Sequence, residues 1–287
     1  MKAKTKRKNQ IHLRNSDILA SKLTSKDLPL EEVLSIISTF KNTFFNSASL
    51  ELELLISNGF PLEIEDEKVL LKTARTRIID QTFCIVDIET NASNIQKGQI
   101  IELGAVKYKN GKIIDKFDSL VYAKDIPPYI QEVTNITPLM LEDAPKIQDV
   151  LEEFKIFLED DIFVAHDIKF DYKFISDSFE KYDLGVLENR KLCTIDLSKR
   201  TIKAQRYGLD FLKDLLNINI AFQHRAYSDA LSTTYILEHA LEKLPNEIQV
   251  SEDLLVFSKS NNIINPAVKH FVKRDAVSKK EEKDKNV

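Results

Sequence analysis

Between Thr82 and Ala123 the chain carries three consecutive runs rich in β-branched and apolar residues, and the last two, in "GQIIELGAVKYKNGKIIDKFDSLVYA", meet at Asn110-Gly111. Alternating runs separated by Asn-Gly form a two-residue hairpin, because both central residues must take positive φ and few other pairs do so cheaply. With "FCIVDIET" (83–90) ahead of it, this hairpin predicts three antiparallel strands in succession. Beyond a loop punctuated by Pro127, Pro128 and Pro138, the pattern changes. It predicts a helix near Ile147–Leu158, a short strand "IFVAH", helices near 169–181, 209–216 and 227–244, and a fifth strand in "KLCTIDL". Strands first and helices afterwards predict an α/β fold, a mixed five-stranded sheet flanked by helices.

Four regions follow. Residues 1–15 form a basic arm, and 16–80 a small, mainly helical region ending in a short hairpin. Residues 81–245 hold the sheet, and 246–287 a short helix, "SEDLLVFSKS" with a Ser cap, and a lysine-rich, low-complexity tail. In the second region, "DLPLEEVLSIISTF" offers Asp27 as a helix cap and Pro29 in the first turn, and "SLELELLIS" ends at Asn58-Gly59. "PLEIEDEKVLLK" alternates about a polar tip at Glu65–Glu67. Helices followed by a hairpin suit either a winged-helix-like unit or a docking module.

The net charge of −4 supplies no bulk attraction for a polyanion. Between Gln81 and Pro245 there are 27 acidic against 20 basic residues, so handling of nucleic acid there requires metal ions at the contact. Cys84 and Cys193 lack CxxC spacing and read as reduced, structural thiols. No apolar stretch follows the basic N-terminus, and no run approaches the roughly 18 apolar residues of a membrane span. The expected compartment is the cytoplasm, without membrane contact.

The first strand of the sheet carries Asp87 and Glu89 on one face, since positions i and i+2 project together while Val86 and Ile88 point the other way. Such a pair alone carries no weight, because Glu63 and Glu65 are spaced alike. Two further segments give it meaning. "VAHDIKFD" puts Asp171 in the first turn of a helix after a buried strand, and "HRAYSDA" puts His224 five residues ahead of Asp229 at the start of the last long helix. These elements converge on one cleft in a sheet-and-helix arrangement. Carboxylate oxygens without soft ligands select hard cations, and four acids suit two Mg²⁺ or Mn²⁺ ions clamping an in-line phosphoryl displacement. An imidazole, with an ordinary pKa of about 6.5, is the natural proton acceptor.

"DIET", "HDIKFD" and "HRAYSDA" resemble the three motifs of the DnaQ-like, DEDDh-type 3'-5' exonucleases, a family that includes proofreading subunits of bacterial replicative polymerases. The resemblance runs from Thr82 to Leu244 and includes "IIELGAVKYKNGKIID", "ITPLM" and "YGLDFL". It implies a ribonuclease-H-like fold, with Asp87 bridging two metals, Glu89 and Asp229 completing one, Asp171 holding the other partly through water, and His224 as general base. It further implies that Thr90 contacts the terminal nucleotide and that Ile136 and Met140 wedge against its base. Two positions depart from the family pattern: Asp167 stands where Asn is usual, and Asn135 replaces a Gly but tolerates the left-handed conformation.

Other residues have plainer expected roles. His166 shapes the turn before its helix, and His12, His239 and His270 are surface residues. Gly104 permits close packing inside a strand. Tyr207 and Phe211 pack in the core rather than stack on a base, and "KRTIKAQR" (199–206) is either a phosphate path or a solvated helix face. The function implied is removal of nucleotides from the 3' end of single-stranded or frayed DNA, beside a replicative DNA polymerase subunit. The alternatives are a 3'-5' exoribonuclease of the same family and a non-catalytic polymerase-binding adaptor.

Overall fold

The computed structural model describes residues 14–220 and 224–264, so most of the expected basic arm and all of the lysine-rich tail, with His12 and His270, lie outside the described residues. The chain begins with α1 (Asn15–Leu23), a two-residue β1 (Leu28–Pro29), α2 (Leu30–Ile37), α3 (Ala48–Ser57), β2 (Leu62–Glu65), β3 (Lys68–Leu71) and α4 (Lys72–Arg75). The β2–β3 hairpin turns at Asp66 and Glu67, both at positive φ. Leu28 and Pro29 pair with Val69 and Lys68, giving a three-stranded sheet in the order β1-β3-β2. This corrects the expected start of α2. The residue before a proline is held extended, so Leu28-Pro29 enters the sheet, and Asp27 binds Arg75 at 2.8 Å instead of capping the helix. Leu19, Leu23, Val33, Ile37, Phe60 and Val69 give this region its own core.

β4 (Phe83–Thr90), β5 (Ile100–Lys109) and β6 (Lys112–Leu120) follow as the expected antiparallel trio, with Asn110 and Gly111 at φ 52° and 70° in the β5–β6 turn. The proline loop is not irregular. It folds into two short helices, α5 (Pro128–Thr134) and α6 (Pro138–Leu141), each with proline in its first turn, where the missing N–H costs nothing. Asn135 ends α5 at φ 57°, so the left-handed turn is kept. Then come α7 (Ile147–Leu158), β7 (Ile162–Ala165), α8 (Ile168–Lys181), β8 (Lys191–Cys193), α9 (Thr194–Thr201), α10 (Leu209–Leu216), α11 (Ala226–Leu241) and α12 (Ser251–Ser258). Only the first three residues of "KLCTIDL" are strand, because β8 is the short edge of the sheet and the chain turns into α9 at Thr194. Ser251 lies inside α12 rather than capping it, and its hydroxyl donates to the Thr76 carbonyl at 3.2 Å.

The five-stranded sheet has the order β6-β5-β4-β7-β8, antiparallel on the β6 side and parallel from β4 to β8. β4 runs down its middle and buries both faces. Cys84, Val86 and Ile88 pack with α7 and α8 through Leu151, Phe154, Ile175 and Phe179. Phe83 and Ile85 pack on the other face with Leu197, Leu212, Ile236 and Leu254. Alternation therefore puts Asp87 and Glu89 on the second face, beneath α11, where the apolar surface of the strand gives way to acid. The N-terminal region is stapled to this body. Arg190 pairs with Glu252 of α12 and Asp17 of α1, Thr73 donates to Glu252 at 2.9 Å, and Arg14 donates to the Tyr172 hydroxyl at 3.2 Å.

Candidate active site

One oxygen each from Asp87, Glu89 and Asp229 lies within 4.8 Å of the others. Two come from the C-terminal half of β4, and the third from the first turn of α11. That helix can reach the strand because β5 presents Gly104 beneath it. A Cβ there would sit 2.1 Å from the Tyr227 nitrogen and 2.3 Å from the Ala226 carbonyl carbon, so no side chain fits. Gly104 pairs with Asp87, and two residues away Glu102 pairs with Glu89.

Glu102 is 1% exposed and holds the start of α11 in place. Its Oε2 accepts the Ala226 backbone N–H at 2.9 Å, and its Oε1 accepts Arg225 Nε and Nη2 at 2.8 and 2.5 Å. A carboxylate at a helix N-terminus satisfies an otherwise orphaned amide and suits the helix dipole. Sequence reasoning passed over Glu102 and Arg225. The available signal was an acid interrupting the apolar strand "IIELGAV" directly opposite Glu89.

The cluster carries more negative charge than its surroundings offset. Burial, reinforced by Asp171, Asp229, Glu89 and Glu102, pushes the Asp87 carboxyl well above the usual carboxylate range. Burial, with Glu102, Asp229 and Asp171, pushes Glu89 up to about 8 against the pull of Arg225. Asp171 rises to about 7 through burial, although hydrogen bonds with its own backbone and that of Ile88 favour its ionised form. Burial also raises Asp229, opposed by Lys213, by His224 and by the His224 backbone N–H, which donates to Oδ2 at 3.1 Å. Lys213 was also missed. It is buried on α10 with Nζ 4.0 Å from Asp229 Oδ1. The three gathered oxygens are all carboxylate donors, the set that hard dications prefer, and a dication would relieve the repulsion that these shifts register.

The remaining expected residues divide. Asp171 is buried in the first turn of α8, outside the 4.8 Å trio but within electrostatic reach of Asp87. His224 is exposed at φ 57°, tied to Asp229 through its backbone. Thr90 is buried, and its hydroxyl donates to the Ala92 carbonyl at 2.8 Å. Ile136 is fully buried with Ile101, Ala123, Ile126 and Leu141, so it presents no surface for a base to meet and the wedge expectation is corrected there. Met140 is 37% exposed on α6, next to Leu139 at 79%.

His166 does more than shape a turn. Its Nδ1 meets the Thr194 hydroxyl at 2.8 Å and its Nε2 the Tyr207 carbonyl at 2.9 Å, tying β7 to α9. A carbonyl only accepts, so Nε2 carries the proton; burial lowers the pKa to about 4, which keeps the ring neutral. Tyr207 is a core residue donating to the Ile202 carbonyl at 3.0 Å. Arg200 is spent on the Ser260 and Asp196 carbonyls, at 2.8 Å and 2.6 Å, so it does not face a phosphate path.

The model of the RNase T exonuclease family matches residues 84–237. The chain is 37% identical over 194 residues to a PolC-type DNA polymerase III of Staphylococcus aureus, a match covering 67% of this chain. It spans only 13% of that protein's length. Among solved structures, an exonuclease I superimposes with a TM-score of 0.53 at 13% identity, covering 62% of this chain and 43% of that one. Escherichia coli exonuclease I in complex with a dA16 oligonucleotide gives 0.51 at 14%, covering 58% and 42%. At these identities the likeness is one of fold.

Proposed function

The chain belongs to the RNase T exonuclease family, of DnaQ-like type, and from that premise we propose that it hydrolyses phosphodiester bonds one nucleotide at a time from the 3' end of single-stranded or frayed DNA. The observation that carries this reading is the meeting of Asp87, Glu89 and Asp229 under α11, where Gly104 and Glu102 hold the helix against the sheet. In it, Asp87, Glu89 and Asp229 would hold one Mg²⁺ or Mn²⁺, and Asp87 with Asp171 a second, partly through water. Bound dications supply the positive charge that eases deprotonation of a water and stabilises the departing 3' oxygen.

The chain's own residues do the rest. His224, at the solvent edge with its backbone fixed to Asp229, accepts the proton of the attacking water at an imidazole nitrogen. Water adds to phosphorus, the bond to the 3' oxygen breaks, and a 5'-monophosphate leaves. Thr90, with Met140 and the neighbouring Leu139 on α6, borders the terminal nucleotide. The setting proposed is proofreading in the cytoplasm beside a replicative DNA polymerase subunit, supported by the likeness to a polymerase III chain. No helix among the described residues is long and apolar enough to cross a membrane.

Digestion of matched DNA and RNA oligomers, labelled at the 5' end and supplied with Mg²⁺ or Mn²⁺, tests the reading. A ladder of DNA shortened from the 3' end, abolished by chelator and by Asp87→Ala, is expected. Shortening of RNA alone would make the protein an exoribonuclease, and no shortening of either would leave the adaptor reading.

A further inference from the structure

Lys213 occupies a position in α10 that its pattern reserves for an apolar side chain. Leu209, Leu212 and Leu216 form one stripe with it at the i, i+3, i+4 and i+7 spacing of a core-facing helix. Lys213 is only 4% exposed. A lysine on an amphipathic helix ordinarily carries its ammonium out to water along its flexible stem. This one does not. Its Nζ is buried with no hydrogen-bond partner among the described residues, and it faces the carboxylate of Asp229, 4.0 Å from Oδ1.

An ammonium kept from water at that cost needs an offset, and the excess negative charge of the cluster supplies one. The two oxygens of Asp229 meet different groups: Oδ2 accepts the His224 backbone N–H at 3.1 Å, and Oδ1 faces Lys213. The two groups that face Asp229 pair with no other carboxylate of the site among the described residues.

We propose that Lys213 is a positioning residue of the acidic centre, acting through Asp229 to offset part of the cluster's charge, so that the site tolerates the absence of dications and binds them more loosely than bare carboxylates would. The inference rests on the reading that Asp87, Glu89 and Asp229 hold a divalent cation. Its sign follows from Coulomb's law: a positive charge 4.0 Å from one ligand opposes an incoming dication and relieves like-charge repulsion in its absence.

Calorimetric titration of the full chain with Mn²⁺ near pH 8.5, where protons compete least, tests this without substrate. Lys213→Met is expected to bind Mn²⁺ roughly tenfold more tightly than the unaltered chain and to gain more thermal stability on saturation. Lys213→Arg, which keeps the charge, should restore the original affinity. A Lys213→Met or Lys213→Gln variant that folds only with Mn²⁺ present would also support the proposal. Unaltered affinity in the Met or Gln variant would overturn it, as would failure of both to fold with or without Mn²⁺, since Lys213 would then serve packing alone. If the unaltered chain takes up no Mn²⁺, the metal reading itself is wrong.

Discussion

Glu102 accepts the backbone N–H of Ala226 at 2.9 Å while gripping the guanidinium of Arg225, so one buried carboxylate on β5 sets where α11 begins. Asp229 sits three residues further along that helix, and its position follows from the anchor. Glu102→Ala would leave the Ala226 amide buried and unpaired and release Arg225. We expect a loss of about 2–4 kcal/mol, discounted for the partial exposure of Arg225, measurable by urea unfolding. Exonuclease activity should fall further than stability explains, because Asp229 would lose its placement.

Gly104→Ala acts on the same contact from below. Its Cβ would meet backbone atoms of Tyr227 and Ala226, which cannot rotate away as a side chain can. Overpacking against backbone costs about 3 kcal/mol or more. Unfolding midpoints and Mn²⁺ affinity should both drop.

The acids predict an unusual pH dependence. The folded-state value of Glu89 is raised from 4.5 to about 8, so between those limits the folded chain binds more protons than the unfolded one. Stability then falls as pH rises through that window, and Asp171, raised to about 7, acts in the same direction. His166 has the opposite sign. Lowered to about 4, it contributes stability that is present above pH 6.5 and is lost as pH falls through 4. Metal-free unfolding followed from pH 6.5 to 8 should therefore show declining stability, and Mn²⁺ should flatten the decline. A stability that rises with pH across this range without metal would contradict the charge balance described.

The α6 surface separates packing from substrate contact. Ile136→Ala should cost about 2–4 kcal/mol as a core truncation, with the loss of activity following the loss of fold. Leu139→Ala and Met140→Ala, on exposed positions, should leave unfolding nearly unchanged and raise KM for single-stranded DNA. Steady-state kinetics beside thermal unfolding distinguishes the two classes.

How much of this was legible beforehand depended on periodicity. Alternation placed Asp87 and Glu89 on one face, and Asn110-Gly111 announced the β5–β6 hairpin, because period-two patterns and turn chemistry act locally. β1 was invisible, since two residues have no period and Leu28-Pro29 is strand only because β3 lies beside it. α5 and α6 hid in a proline-rich loop whose prolines are in fact helix starts. Ile136 read as a loop residue, yet it is buried by Ile101 and Ala123, distant in sequence. Glu102 and Lys213 interrupt apolar patterns in the linear chain, but nothing local says what they meet. Only the arrival of α11 between β5 and α10 gives them partners.

The central claim is that carboxylates from β4 and α11 gather to hold divalent cations. Anomalous diffraction from a crystal of the full chain soaked in Mn²⁺ tests it most directly. A peak bounded by oxygens of Asp87, Glu89 and Asp229 is predicted, and its loss in Asp87→Asn. Density elsewhere, or none, in a protein that still shortens DNA in the presence of chelator, would contradict it.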